Sequence, residues 1–407
     1  MYHCQICTHE IEPFISFGRM PIANGFLMPD QFSQEYFYNL IVGFCPECKM
    51  VQLLEFVDRE KMFHEQYAFF SSTSSFMARH FGMFAEKVIQ GFLAKVRDPF
   101  VVEIGSNDGI LLENFSKRNI RHLGIEPSAN VAEAAIRKGV KSICAFFDEN
   151  IARQIVSESG HADAIIAANV MCHIPYLHSV AKGIKLLLKS GGIFIFEDPY
   201  LGDIVEKVAY DQIYDEHAFY FSLQSIHYLF SQYDLEVIHT ELYNVHGGSM
   251  RYYISHKGSH APSSSVMTQI DKENMLGLHQ RKTYELFRKS VEKSKDQLKQ
   301  LLLNLKNEKR RVVGYAATSK STTVTNYCGI TPDLLEYMSD TTPIKQGKYS
   351  PGAHIPVRPY EEFKANYPDY ALLFGWNHAE EIMAKENEFC DNSGKWIVYV
   401  PKVKIIG

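Results

Sequence analysis

Between residues 100 and 200 the apolar positions fall in blocks with two different periods. Short runs of branched and aromatic residues at 100–104, 121–126, 140–145, 163–168 and 192–197 read as strands. Segments 110–117, 129–138 and 177–189 repeat apolar residues at helical spacing. Strands alternating with helices predict a mostly parallel sheet with right-handed crossovers, and runs at 235–240 and 250–255 predict an antiparallel finish. Ahead of this block, Phe76, His80, Phe84 and Val88 recur at intervals of four and predict a helix with Phe76 and Phe84 in a core. After it, residues 262–309 are polar with helical periodicity. There Leu278, Tyr284, Leu286, Val291, Leu298, Leu301, Leu302 and Leu305 form the apolar face, and the charged remainder reads as solvated. From Arg311 a strand again meets a loop of small residues and a helix, 322–327, which opens a second α/β unit.

The first of these strands runs into Glu103-Ile-Gly-Ser-Asn-Asp-Gly109. Gly105 and Gly109 let the backbone turn sharply and approach a ligand, at the carboxyl end of a strand where open α/β sheets bind ligands. The next strand ends in Gly124-Ile-Glu-Pro127, putting Glu126 about 20 residues beyond the turn, where a carboxylate can bond both hydroxyls of a ribose. A dinucleotide site would carry three glycines and a helix N-terminus free for pyrophosphate, whereas here Glu103 and Asp108 flank the turn, and Asp108 would repel that group. Carboxylates suit a cationic ligand, such as the sulfonium and amino groups of S-adenosylmethionine.

Composition narrows the partners. Across 407 residues the net charge is −5 and 22% of residues are charged, which gives no electrostatic reason to expect nucleic acid or an anionic membrane. The start has no basic segment followed by an apolar one, and no run approaches the roughly 18 apolar residues of a membrane span, so a cytoplasmic protein is expected. Four of the eight cysteines form two Cys-x-x-Cys pairs, Cys4/Cys7 and Cys45/Cys48. Two such knuckles complete the four-sulfur shell of a structural zinc, with no open position for catalysis; paired disulfides or a redox motif are the competing readings. The scattered Cys144, Cys172, Cys328 and Cys390 read as buried small residues. Zinc would staple residues 1–60, a segment too small to hold itself by core burial.

Segment 198–232 interrupts the sheet before its last two strands and would lie over the pocket. It holds Tyr210-Asp-Gln-Ile-Tyr-Asp-Glu-His217, dense in groups that are costly to bury unless paired or used. In a helix Tyr214 and His217 would share a face, while Glu216 would need another partner or another backbone. Removing a weakly acidic proton needs a base active near neutral pH and a donor for the anion that develops. His217 suits the base, Glu216 the group that orients it and Tyr214 the donor; a hydrogen-bonded structural histidine is the bland alternative. Tyr67 and the neighbouring serines, His173 after Asn169, and His246-Gly-Gly-Ser-Met-Arg251 are further candidates for lining a substrate site. His173 reads equally as a turn residue and the glycines as a simple β-turn, and Arg251 suits an anionic group. Lys320, among small residues and hydroxyls, suits phosphate, although ordinary turns of a structural domain look similar.

The turn at 103–109, Gly124-Ile-Glu-Pro127 and the strand pattern resemble class I S-adenosylmethionine-dependent methyltransferases. With the four-cysteine front, Tyr214-Asp-Glu-His217, His246-Gly-Gly-Ser-Met-Arg251 and Lys345-Gln-Gly, the whole chain resembles the nucleotide-sugar C-methyltransferases. The resemblance implies methyl transfer from S-adenosylmethionine to a carbon, usually C3, of a nucleotide-linked 4-keto-deoxysugar. It implies Gly105, Asn107, Glu126 and Asn169 at the cofactor, with Glu103 and Gly109 in the same turn, the triad Tyr214, Glu216 and His217 at the chemistry, and Lys345 near the substrate. The expected architecture is a zinc-binding module at 1–60, a Rossmann-like methyltransferase domain at 61–260, a helical linker at 261–309 and a Rossmann-like nucleotide-sugar-binding domain at 310–407. The main rival, a zinc-ribbon methyltransferase acting on nucleic acid or protein, would want a basic face; a nicotinamide oxidoreductase and a non-catalytic sugar-nucleotide binder are the others.

Overall fold

The structure, a computed structural model, describes residues 1–58, 62 and 75–407. Three sheets carry it. The first is antiparallel: β1 (Tyr2–His3), β2 (Glu10–Pro21), β3 (Phe37–Phe44) and β4 (Val51–Leu53), to which Phe219–Tyr220 from the middle of the chain adds a fifth strand beside β4. The segment that interrupts the central sheet therefore completes the front one.

The central sheet has β5 (Phe100–Ile104), β6 (Arg121–Glu126), β7 (Ser142–Cys144), β8 (Ala162–Ala168) and β9 (Leu188–Pro199) in parallel. With Phe219–Tyr220 as β10, the antiparallel β11 (Leu235–Tyr243) and β12 (Ser249–His256) finish it in the order β11-β12-β9-β8-β5-β6-β7. All five side chains of β5 are buried, as strands covered by helices on both faces require. The chain order reverses at β5, between β6 and β8, which opens a crevice at their carboxyl ends. The third sheet repeats this device with β13 (Val312–Tyr315), β14 (Met338–Asp340), β15 (Val357–Pro359), β16 (Tyr370–Leu373), β17 (Lys395–Val398) and β18 (Lys404–Ile406) in the order β15-β14-β13-β16-β17-β18. Only β18 is antiparallel, and the reversal falls at β13.

Several helices depart from the periodicity. The helix expected at 110–117 is reduced to Glu113–Ser116, because the Asn114 amide donates back to the Ile110 and Leu111 carbonyls and diverts that turn. A helix not expected, Glu149–Ser159, starts on Asp148, whose carboxylate caps the Ile151 amide at 2.9 Å. Helix Ser75–Val88 buries Met77 and Phe81 alongside Phe84, while Phe76 stays 36% exposed, because the sheet edge and a cavity together cover a wider stripe than one row at i+4.

Residues expected to be a linker form two helices, Ser264–Leu276 and Arg281–Asn307. The longer one is a core element. Tyr284 sits between Phe14 and Phe44 of the front sheet, ring centroids 5.1 and 4.5 Å away, and Leu298, Leu302 and Leu305 join a core shared with the third sheet. Phe287 is buried there and Leu286 is 54% exposed, the reverse of the expected face at this turn, and Leu278 lies in the connection ahead of the helix. The front module also shares a core with the central sheet, since Ile6, Ile11 and Met50 pack into the same cluster as Phe194 and Phe230. Among the described residues no helix is long and apolar enough to cross a membrane. Phe287→Ala should therefore cost about 3 kcal/mol or more in urea unfolding, and Leu286→Ala less than about 0.5 kcal/mol.

Candidate functional site

A cavity of about 450 Å³ lies at the carboxyl ends of β5, β6 and β8 and is closed by residues after β13 and β16. After β5 the backbone turns through left-handed Gly105 and Asn107, φ +67° and +47°. A Cβ on Gly105 would come within 2.3 Å of Val170, so only glycine fits this wall. The Glu126 carboxylate accepts the Asn107 and Ser128 amides at 3.0 and 2.9 Å and faces the cavity. Glu103 also lines it, fully enclosed, and its Oε2 has no hydrogen-bond partner among the described residues. Burial raises the pKa of both, and Glu126 and Asp108 push Glu103 further in the same direction. Two enclosed carboxyl groups with spare acceptor capacity fit a ligand carrying hydroxyls and a positive charge. Asn169, left-handed at +55°, follows β8 into the cavity, and its Oδ1 has no hydrogen-bond partner among the described residues. Gly109 and Asp108 point elsewhere. A Cβ on Gly109 would meet Val140 at 2.9 Å, and Asp108 is paired with Lys138 at 2.9 Å behind the turn. The turn needs Gly109 for packing, and the expected repulsion of pyrophosphate by Asp108 does not act in the cavity.

Residues 209–218 hold the most reactive groups. Beyond a short 3₁₀ turn, Tyr210–Gln212, they are not helical, and their carboxylates reach to distant parts of the chain. The buried Asp211 accepts the Trp376 indole and the Tyr399 hydroxyl at 2.6 and 2.8 Å. Asp215 accepts the Ala23 amide at 2.9 Å, and Glu216 the Asn24 side chain at 2.6 Å. Thr322 and Thr323 donate to the Ala23 and Ile213 carbonyls at 2.8 and 2.7 Å.

Within this frame His217 Nδ1 lies 2.7 Å from the Gln212 carbonyl and Nε2 lies 3.0 Å from the Tyr214 hydroxyl. A carbonyl only accepts, so Nδ1 carries the proton and Nε2 accepts from Tyr214. Burial, reinforced by His173, holds the imidazole well below its ordinary pKa, and it is neutral. Glu216, expected to orient His217, instead bonds Asn24. A turn closed by the His217 amide on the Tyr214 carbonyl brings the two rings together, with centroids 4.2 Å apart, and the Gln212 carbonyl does the orienting.

His173 stands 5.1 Å from His217 between ring centroids, and burial lowers it and His246 to about 4 each. His246, at φ +51°, faces the cavity, and its Nε2 has no hydrogen-bond partner among the described residues. Its glycines are required: a Cβ on Gly247 or Gly248 would meet Trp376 at 2.6 Å or Asp203 at 2.3 Å. From the other side come Lys320, 3.1 Å from Asn377 Oδ1 and lowered in pKa by burial, and left-handed Ala316, φ +71°. Asn107, Asn169, His246 and Ala316 are thus four non-glycine residues in a strained backbone region around one cavity.

Two expected substrate residues are elsewhere. Arg251 is buried under β12, donating from Nε and Nη2 to Glu197 at 3.0 and 2.7 Å and sandwiched between Phe84 and Tyr243, while His80 holds the other Glu197 oxygen at 2.7 Å. A guanidinium so enclosed needs an internal carboxylate, and it has one. Lys345 Nζ donates to the Ala317 carbonyl at 2.8 Å, outside the cavity wall, because burial draws its ammonium to that loop. Tyr67 lies outside the described residues. Gln212, Asn377 and His378 line the cavity from stretches that stood out in the sequence without being singled out themselves, and Asn24 lines it with no signal in the sequence.

The Cys4–Cys48 and Cys7–Cys45 sulfurs are each 3.4 Å apart, and all four lie within 4.8 Å of one another. The two knuckles match. In each, the amide four residues on, Thr8 or Lys49, bonds the first cysteine's carbonyl at 3.0 Å with φ near +60°. This donor set fits a closed four-sulfur zinc shell. Of the single cysteines Cys172 and Cys328 are buried, whereas Cys144, at the end of β7, and Cys390, in the helix Asn387–Asp391, are exposed, contrary to expectation.

Over 406 residues the chain is 31% identical to the C-methyltransferase NovU of Streptomyces niveus, covering 99% of this chain and 96% of that protein. It belongs to the S-adenosylmethionine-dependent C-methyltransferases. Residues 77–240 match the family model "Methyltransferase domain", 244–401 "C-methyltransferase C-terminal domain" and 4–63 "Putative zinc binding domain". Among solved structures the chain is similar to an S-adenosylmethionine-dependent methyltransferase from Clostridium acetobutylicum, with 15% identity, 44% of this chain and 92% of that one, and TM-score 0.36. One from Anabaena variabilis gives 17% identity, 44% and 95% coverage, and TM-score 0.33. In this C-methyltransferase Arg251 has a structural place, so Arg251→Met should lower stability by about 3–5 kcal/mol in urea unfolding, by leaving Glu197 buried and unpaired.

Proposed function

We propose that this enzyme methylates a carbon, C3, of a nucleotide-linked 4-keto-deoxysugar. One observation carries the reading: the neutral His217, its Nε2 beside Tyr214, stands in a single cavity that has Glu103 and Glu126 at one end and Lys320 at the other. When bound, S-adenosylmethionine supplies an electrophilic methyl group on a sulfonium. Glu126 receives the ribose hydroxyls, the Gly105–Asn107 turn lets the ligand approach the backbone, and Glu103 and Asn169 offer acceptors to its cationic part.

His217 Nε2 takes the proton from the carbon beside the ketone, and the Tyr214 hydroxyl turns to donate to the enolate oxygen. The resulting imidazolium keeps its Nδ1–H bond to Gln212, so its orientation survives the change of charge. His173 and His246 flank the sugar. Lys320, with Thr318 and Ser319 at a helix start, holds the diphosphate, and this remote binding orients the ring against the donor. Zinc in the shell of Cys4, Cys7, Cys45 and Cys48 is structural, and it steadies the module that delivers Ala23 and Asn24 to Asp215 and Glu216.

Incubation with labelled S-adenosylmethionine and a panel of nucleotide 4-ketosugars, followed by mass measurement, should give a product heavier by one methylene. Label going to RNA or protein alone would overturn the reading. His217→Ala should lower kcat by about 10²–10⁴ with cofactor affinity unchanged by calorimetry. Near-normal turnover would move the base to another residue. Because the base works unprotonated and its pKa lies below 6.5, kcat/KM should stay flat as pH falls to that value and decline only below it. Cys45→Ser should lose one zinc by elemental analysis, and its unfolding midpoint should fall with turnover.

A further inference from the structure

The chemistry above leaves Cys172 unused. It sits in the short turn Met171–His173 after β8, behind the cavity wall, and its sulfur, a ring nitrogen of His173 and one of His217 lie within 4.8 Å of one another. We propose that Cys172 Sγ, His173 and His217 Nε2 form a second metal site, suited to zinc, whose occupation stops turnover.

The donors are one soft sulfur and two imidazoles, a set that zinc takes in preference to magnesium or calcium. Three protein ligands leave a fourth position toward the cavity, unlike the closed four-cysteine shell. His217 is already in the binding tautomer. Its Nδ1–H is held by the Gln212 carbonyl at 2.7 Å, the outer-shell bond that ligating histidines ordinarily make, and Nε2 is left to donate its lone pair. The fully buried Asp198 accepts the Cys172 amide at 3.2 Å through Oδ2 and so fixes the turn that carries the sulfur. Binding forms the metal–sulfur bond as the Cys172 thiol gives its proton to solvent, and the Tyr214 hydroxyl loses its acceptor. The ion then occupies the lone pair that would accept the substrate proton. That last step rests on the assignment of His217 as base; the site itself does not.

The test uses the full chain with its four-cysteine site loaded. After zinc chloride and buffer exchange, elemental analysis should find a second equivalent, and kcat/KM should drop at least about tenfold and recover with EDTA. Cys172→Ser should retain one equivalent and basal turnover, and half-inhibition should need about tenfold more zinc or beyond. Cobalt(II) added to the zinc-loaded wild type should give a thiolate-to-cobalt charge-transfer band that Cys172→Ala lacks. A single equivalent in the wild type, or equal zinc sensitivity in wild type and variant, overturns the site. A second equivalent lost in Cys172→Ser but without effect on wild-type turnover leaves the site standing and overturns the competition, and with it the role of His217.

Discussion

The burial of charge in residues 211–217 is the constraint on which the molecule depends. Asp211, Asp215 and Glu216 lie where an unpaired carboxylate would cost several kcal/mol, and each is answered by a different part of the chain. Asp211 needs Trp376 and Tyr399 of the third unit, while Asp215 and Glu216 need Ala23 and Asn24 of the front module. Burial, with Glu216 beside it, pushes Asp215 up to about 8. The three sheets meet where these groups demand partners, and His217 takes its orientation from the strand of backbone held between them.

Two strand-end crevices face each other across this junction. The one after β5 is lined by carboxylates and the one after β13 by a lysine and hydroxyls, yet both are made by the same topological reversal. Chemistry is set by the side chains laid on a repeated scaffold. The price is strain, because four non-glycine residues at positive φ surround the cavity and persist only because the packing around them leaves no alternative.

The central sheet was legible because buried parallel strands leave continuous apolar runs, and because the glycine turn and Glu126 keep a fixed spacing. The cysteine knuckles were legible for a similar local reason. What periodicity could not supply was rotation and distance. Phe76 and Met77 are neighbours in any pattern, and only the cavity decides which is covered. Arg251 follows two glycines beside a histidine and looked like a ligand, but its partner Glu197 is 54 residues away, in the strand paired with it. Glu216 failed as the orienter of His217 because its carboxylate turns to Asn24, and the orienting atom is a backbone carbonyl that any residue could provide.

The bonds that complete the cavity span most of the chain: Ala23 to Asp215 is 192 residues, Asp211 to Tyr399 is 188, and Thr322 to Ala23 is 299. A chain emerging from the ribosome can form its front sheet and much of the central one early, since those pairings are comparatively local. One of the two clamps on Asp211 arrives only with Tyr399, in the third unit. A polypeptide interrupted before Tyr399 would therefore hold its central sheet while Asp211 still lacked one of its two partners.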